Sequence, residues 1–216
     1  MSVKLVWVTP SPETQIMYCA RVSSPHRQDS EDKRLLAYCI KHKHWSPFEM
    51  ASMCLEIQTT RAISAQILRH RSFHFQEFSQ RYSPVANKPV VPKMRIAGKT
   101  NRQGSQEAEL SVAQMAITQK ATTLVSLLWQ AYNELVESGV ATESARNILP
   151  LCTDTMMYMS GTMRDWLHYC LVRSSEDTQK EHRDIALGVQ EILKKEIPAT
   201  WEAFTKYHMA QGEQSG

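Results

Sequence analysis

Arg69-His70-Arg71-Ser72-Phe73-His74-Phe75-Gln76-Glu77-Phe78-Ser79-Gln80-Arg81-Tyr82 sets three arginines, two histidines and one acid among three phenylalanines and a tyrosine. Arginine is rarely buried without a partner, so such a density of cation beside aromatic points to a ligand rather than to packing alone. A guanidinium matches phosphate and carboxylate oxygens two at a time and stacks on flat rings. Arg69, Arg71 and Arg81 therefore suit the phosphate and base of a nucleotide. The alternative is a surface ion-pair network, for which Glu77 is the one acid in the stretch.

Other chemistries fit less well. His70 and His74 lie four apart, a spacing that can chelate zinc on a helix, but Arg71 stands where the metalloprotease pattern needs glutamate. Three guanidinium groups nearby also oppose a dication. His44 precedes Ser46-Pro47, where it serves either as a dipole partner or beside a helix N-terminus suited to phosphate. With seven glycines in all, the chain has neither G-x-G-x-x-G nor a Walker motif, and no G-x-S-x-G elbow surrounds Ser79 or Ser83. Cys152 follows Pro150-Leu151 with no adjacent histidine to activate it, so a structural role is expected.

A chain of 216 residues with 42% hydrophobic and 22% charged side chains is large enough for one well-packed domain. The net charge of +3 is too mild for a general nucleic-acid coat, so a basic site must be local. Five cysteines with no C-x-x-C, no signal-peptide pattern and no apolar run of membrane length predict a reduced, cytoplasmic protein.

The positioning elements follow from periodicity. Val3, Leu5 and Trp7 predict a strand over 3–8, and helices are expected over 13–21 and from Ser30 to His44, where Lys41-His42-Lys43-His44 close the second. Ser46-Pro47-Phe48-Glu49 reads as a capping box, and Met53, Leu55, Ile57 and Thr59 as one face of a strand. A helix over 62–71 is expected to deliver Gln66, Arg69, His70 and Arg71 at its C-terminal end, with 72–82 extended beyond it. Residues 86–106, with Lys88, Lys93, Arg95, Lys99 and Arg102, read as a long basic surface loop. Leu110 to Val136 carries helical apolar spacing and is expected to be a spine or an oligomer contact. A short helix over 142–149, a strand near Met156, Tyr158 and Ser160, and an amphipathic helix over 162–172 bring in Arg146, Arg164, His168 and Arg173. Thr178-Gln179-Lys180-Glu181 reads as a second capping box before a helix that Pro198 ends, and Trp201, Phe204 and Tyr207 mark a last one. One α+β domain over 1–216 is expected, with a small antiparallel sheet flanked by helices.

Arg69-His70-Arg71, seven further residues, then Ser79 and Arg81-Tyr82 resembles the R-H-R-x7-S signature of flavin-dependent thymidylate synthases. Arg21-Val22-Ser23, His44-x-Ser46-Pro47-Phe48-Glu49, Ala145-Arg146-x-Ile148-Leu149-Pro150 and Arg164 through Arg173 follow in the same order and spacing as in that family. The resemblance implies a homotetramer with active sites shared between subunits, and reductive methylation of dUMP to dTMP. Methylenetetrahydrofolate would give the carbon, FAD would carry the electrons and NADPH would reload it. Residue by residue, it implies flavin contacts at Ser46, Arg69, His70, Arg71, Glu77, Arg164 and His168. It implies dUMP contacts at Gln66, Arg69, Glu77, Ser79, Gln80, Arg81, Arg146 and Arg173. Arg173 matches the arginine that favours ionisation at uracil N3, and His44 a histidine near the flavin. His74, Gln76, Gln80, Thr162 and His168 depart from common family residues, as subgroup variation.

Chemistry agrees with that resemblance. Uracil C6 accepts a hydride or nucleophile only if negative charge on the ring is stabilised, which a fixed guanidinium does well in a dry site. With no evident activated cysteine, the flavin route is the one open to this chain. Two other readings stand beside it. Arg69 to Tyr82 and loop 88–102 would suit stacked single-stranded bases in a nucleic-acid-binding protein, and a flavin-binding oligomer without catalysis would keep the same contacts.

Overall fold

The structure is a computed structural model that describes residues 1–98, 101 and 104–209. Lys99 and Arg102 of the expected basic loop lie outside the described residues. In chain order the elements are β1 (Ser2–Val8), α1 (Pro12–Ala20), α2 (Arg34–Lys41), β2 (Ser52–Thr60), α3 (Arg61–Ile67), β3 (His74–Glu77), β4 (Ile96–Ala97), β5 (Ser105–Gln106), α4 (Val112–Glu137), α5 (Thr142–Ala145), β6 (Asp154–Thr162), α6 (Met163–Arg173), α7 (Lys180–Glu196) and α8 (Pro198–Phe204). The fold is α+β, with a small antiparallel sheet of strand order β1-β2-β6-β3 among helices. None of the described helices is long and apolar enough to cross a membrane.

The described chain packs as two compact units whose boundaries fall inside β2, β3 and β6. The first comprises 1–57, 70–76 and the chain from 158 onward. Here Met53, Leu55 and Ile57 of β2 are fully buried, as strand alternation requires. Ile185, Val189 and Leu193 recur every four residues on α7 and bury one stripe against α6 and β1. Each such side chain stabilises by roughly 1.5–3 kcal/mol relative to an exposed one. Glu13 of α1 is nearly fully buried, and its carboxylate accepts from the Thr200 amide at 2.7 Å and from Lys33 Nζ at 3.1 Å. It thus satisfies an orphan donor in the first turn of α8, where negative charge is favoured.

The second unit, 58–69 and 77–157, has a thinner core built on Val85, Tyr132 and Ala145, with Trp129, Leu135 and Ile148 packed around it. The Tyr132 hydroxyl accepts from the Val85 amide at 2.9 Å, which ties the irregular chain after Tyr82 to α4. Helix α4 starts at a capping box of Ser111 and Gln114 that the sequence reading passed over. Of its 26 residues only Tyr132 is fully buried. Ile117, Leu124 and Leu128 stay 68%, 51% and 38% exposed, while Tyr132 and Leu135 enter the core, so the apolar stripe predicted from spacing is uncovered within this unit only over its N-terminal part. Among its described residues, the basic loop is irregular except where β4 pairs antiparallel with β5, Ile96 opposite Gln106.

Four local expectations change. Helix α3 stops at Ile67 rather than running to Arg71, because Phe73 leaves the helix axis to pack edge-on against Trp166 at 4.7 Å. Gly161 makes room for that ring: a Cβ there would lie 2.6 Å from Phe73 Cδ1. The extended segment after it is only four residues long, and Ser79 O then accepts from the Tyr82 and Ser83 amides in a tight turn. Ser46–Glu49 is a single 3-10 turn with no capping bond, since Glu49 reaches instead to Arg164, a charge-assisted pair stronger than an exposed cap. The box expected at Thr178 is also absent, with Glu181 accepting from Gln179 Nε2 at 3.0 Å.

Candidate functional site

In the first unit, the loop leaving α3 and the last turn of α6 bring His70 and Arg173 together. Arg173 Nε donates to His70 Nε2 at 2.9 Å, across 103 positions of sequence. The imidazole lies edge-on to Tyr169 at 5.1 Å, to His182 of α7 at 6.2 Å and to Phe73 at 6.3 Å. Tyr169 and His182 are completely buried. Burial first, and then the Arg173 and His168 charges, hold the His70 pKa down at about 4. Burial, Arg173 and His70 hold His182 at about 3. Burial likewise pushes the Tyr169 phenol well above its ordinary range. The pocket therefore contains one permanent cation held by a neutral imidazole.

Beside this cluster, still in the first unit, lies a cavity of about 570 Å³ lined by Trp45, Glu49, Ser72, Arg164, Asp165, His168, Leu171, Phe204 and His208. Trp45, Phe204 and His208 form one wall, with ring centroids 5.3–6.4 Å apart. Arg164 pairs with Glu49 at the rim, and Asp165 accepts from the Thr162 amide at 2.9 Å and hydroxyl at 2.6 Å, capping α6. With both acids so engaged, the Arg164 guanidinium, the His168 ring and the flat wall fit a ligand that is planar and anionic, such as a flavin nucleotide. His44 and Ser46 are exposed and do not line this cavity; His44 sits edge-on to Tyr38 at 5.7 Å. Arg71 is also exposed.

In the second unit, Glu77 does not neutralise the neighbouring arginines. Its carboxylate pairs with Arg61 Nη1 at 2.5 Å and accepts from Thr155 Oγ1 at 2.9 Å. Arg81 Nη2 meets Glu143 at 3.3 Å with its side chain 67% exposed, and its carbonyl accepts from Thr142 Oγ1 at 2.7 Å. Arg69 and Ser79 are exposed, and Gln66 and Arg146 are half-buried. Gln80 is buried, and its Nε2 finds no acceptor among the described residues, which is unusual for a buried amide. Of the expected residues, His70 and Arg173 meet in one cluster, Arg164 and His168 line the cavity together with Ser72, and Glu77, Ser79, Gln80 and Arg81 share a polar turn, whereas His44, Ser46 and Arg71 join none of these.

Sequence reasoning missed Tyr169, His182, Arg61 and the Trp45–Phe204–His208 wall. Nothing local marks His182, which sits among ordinary polar residues early in α7. The Thr162–Asp165 box was findable, because it follows the same Ser/Thr-x-x-acid pattern used elsewhere in the chain. Burial raises the thiol pKa of Cys39, Cys54, Cys152 and Cys170, so none of these four is poised as a nucleophile at neutral pH.

Residues 4–199 match the family described as thymidylate synthase complementing protein. The chain belongs to this family. Similar proteins include a probable flavin-dependent thymidylate synthase of Paramecium bursaria Chlorella virus 1, 46% identical over 94% of this chain and 98% of that protein. A flavin-dependent thymidylate synthase of Synechocystis is 47% identical over 87% of each chain. Among solved structures, the UMP/dUMP methylase PolB of Streptomyces cacaoi bound with 5-Br dUMP superposes with a TM-score of 0.83 at 26% identity, covering 96% of this chain and 95% of that one.

Proposed function

We infer that the protein is a flavin-dependent thymidylate synthase, an enzyme that methylates dUMP reductively to dTMP. The observation that carries this reading is near-full-length similarity, at 46–47% identity, to proteins of that name. The site chemistry supports it: a cation stands in a half-buried pocket, a cavity suited to a planar anion lies beside it, and four of the five thiols are kept protonated.

In the reaction the C5–H of uracil is replaced by C–CH3. Methylenetetrahydrofolate supplies the carbon and NADPH the electrons. Bound FAD supplies the two-electron redox chemistry that links them. Ser46, Arg69, His70, Arg71, Glu77, Arg164 and His168 are assigned to hold the flavin, for which Arg164 must exchange Glu49 for an incoming phosphate. Gln66, Arg69, Glu77, Ser79, Gln80, Arg81, Arg146 and Arg173 are assigned to dUMP. The Gln80 amide, lacking an acceptor, is suited to a ligand oxygen, and Arg81 to the phosphate. Arg173 stabilises negative charge on the pyrimidine as C6 is attacked or N3 ionises, a role that a fixed guanidinium performs without reorganisation. His44 is assigned a catalytic place near the flavin.

The uncovered apolar stripe of α4 supports a homotetramer with active sites shared between subunits. One catalytic domain over 1–216 working in the cytoplasm completes the reading, and the ligands are small molecules, not nucleic acid or membrane.

A specific observation supports a second substrate, because the structural relative PolB is a UMP/dUMP methylase. The test is tritium release from C5-labelled dUMP, and separately from C5-labelled UMP, with FAD, NADPH and methylenetetrahydrofolate. Release from dUMP is expected to dominate. Release only from UMP would change the substrate, and a protein that takes up no flavin would overturn the reading.

A further inference from the structure

His70 is one of the residues assigned to the flavin, yet in the structure its ring nitrogen faces Arg173. We propose that His70 is a positioning residue for Arg173, its Nε2 lone pair receiving the Nε–H and fixing the guanidinium plane, in a pocket walled by Tyr169 and the otherwise unassigned His182. This rests on the reading of Arg173 as the group that faces the pyrimidine.

Three observations carry it. The Arg173 Nε to His70 Nε2 distance of 2.9 Å is that of a well-formed hydrogen bond, and only an imidazole with a free lone pair can accept it. An imidazolium has two N–H donors and no acceptor, so protonation would replace the bond with repulsion. Second, the groups facing His70 from the packed elements are Arg173, His168 and Tyr169 of α6 and His182 of α7. No carboxylate is among them, and Tyr169 and His182 are themselves fully buried, so the surroundings disfavour a second cation there. Third, Arg34, Arg61, Arg81 and Arg164 are each held by a carboxylate. A carboxylate orients a guanidinium but cancels its field. A neutral imidazole orients it through Nε and leaves the full positive charge, with its terminal N–H groups, for a ring that must become anionic. His182 contributes by filling the space behind His70, which keeps water and counter-anions from the ring.

The first test uses ligand-free protein labelled with 15N-arginine and 13C-histidine, so it does not depend on turnover. Arg173 Nε–H is expected to appear at neutral pH as a slowly exchanging signal, assigned by its absence in Arg173→Lys. It is expected to vanish as the His70 ring titrates on acidification, well below the ordinary histidine range. A freely exchanging Nε–H in the native chain at pH 7, or one unmoved by His70→Phe, would overturn the proposal even if the enzyme makes dTMP.

The second test separates orientation from charge. His70→Phe is expected to lower kcat for dUMP at least tenfold. His70→Gln, whose carbonyl oxygen accepts at every pH, should recover most of that loss and flatten the acid limb of the kcat profile. His70→Glu should keep the protected Nε–H and still lose kcat, because it cancels the charge. Equal kcat losses in Gln, Glu and Phe variants would show that the imidazole acts in some other way. If no variant or native protein turns over dUMP while the Nε–H behaves as described, the functional reading fails and the positioning contact stands.

Discussion

Arg61 and Arg173 are both arginines drawn partly out of water, and they are held by opposite means. Arg61, in the second unit, lies on Glu77, which also accepts from Thr155, so the cation is neutralised where it sits. Arg173, in the first unit, is held by the uncharged nitrogen of His70, among buried rings. The first arrangement is a structural clamp: it fixes the start of α3 against β3 and β6, and little charge is left over. The second keeps an uncompensated charge in a half-buried place, which is unfavourable for folding unless the charge has a use. This contrast separates a framework cation from a working one better than exposure does, since neither side chain is fully open.

The sharpest break of the contrast is Arg173→Ala. It should leave flavin binding, read by visible absorbance, close to native and lower kcat by about two to three orders of magnitude, the usual cost of removing one stabiliser of transition-state charge. Turnover within a few-fold of native would make Arg173 a framework residue like Arg61.

A pH titration of stability probes the same cluster without substrate. His70 and His182 have native pKa values of about 4 and about 3, below the ordinary 6.5. The unfolded chain therefore takes up their protons first. Their neutrality costs nothing above pH 6.5, and stability is lost as pH falls from there toward 4 and then 3. The slope is up to about 1.4 kcal/mol per pH unit for each histidine, and less for the partly solvated His70. Urea midpoints at pH 7, 5.5 and 4.5, compared between native and His182→Asn chains, should show a shallower decline in the variant; parallel declines would remove His182 from the account.

Gly161→Ala tests how the turn that carries His70 is anchored. The added Cβ would meet the Phe73 ring at 2.6 Å, inside any real contact, so the ring must shift. Overpacking of this kind costs about 1–3 kcal/mol. A Tm unchanged within error would mean that Phe73 does not fix the turn.

Arg81→Ala should raise the dUMP dissociation constant by about tenfold, one lost charge-assisted contact, with kcat less affected. An unchanged affinity by calorimetry would leave Arg81 as half of a surface pair. The smallest effect belongs to Glu143→Ala. It removes the exposed Arg81 partner, should change stability by less than about 1 kcal/mol, and should not weaken dUMP binding. A loss of affinity there would show that Glu143 positions Arg81, as His70 is argued to position Arg173.

How much was legible differs between the strands and the site. Alternation at Met53, Leu55 and Ile57 pointed to the buried face of β2 because a strand offers its residues only two sides. The apolar spacing of α4 likewise identified a helix, whose C-terminal part packs on the core at Tyr132 and Leu135 while Ile117 and Leu124 stay exposed. The helix expected to run to Arg71 failed for a tertiary reason, since Phe73 gains more against Gly161 and Trp166 than another helical turn would give. The capping box at Ser46 failed similarly, because a glutamate local in sequence found its partner 115 residues away.

Residue type and spacing alone determined that this chain carries an arginine series suited to a nucleotide, in the order found in its family, and that no cysteine is evidently activated. Those are properties of side-chain chemistry, and they are written in the composition of short segments. Only the tertiary structure decided which arginines are neutralised and which is left charged. That depends on whether a carboxylate or an imidazole arrives from another element, and on how much water burial removes. The resemblance assigns His70 to the flavin, since it is the middle residue of Arg69-His70-Arg71. Folding also brings it to Arg173, Tyr169 and His182, where desolvation first, and then the Arg173 charge, disfavour the imidazolium and leave Nε2 an acceptor.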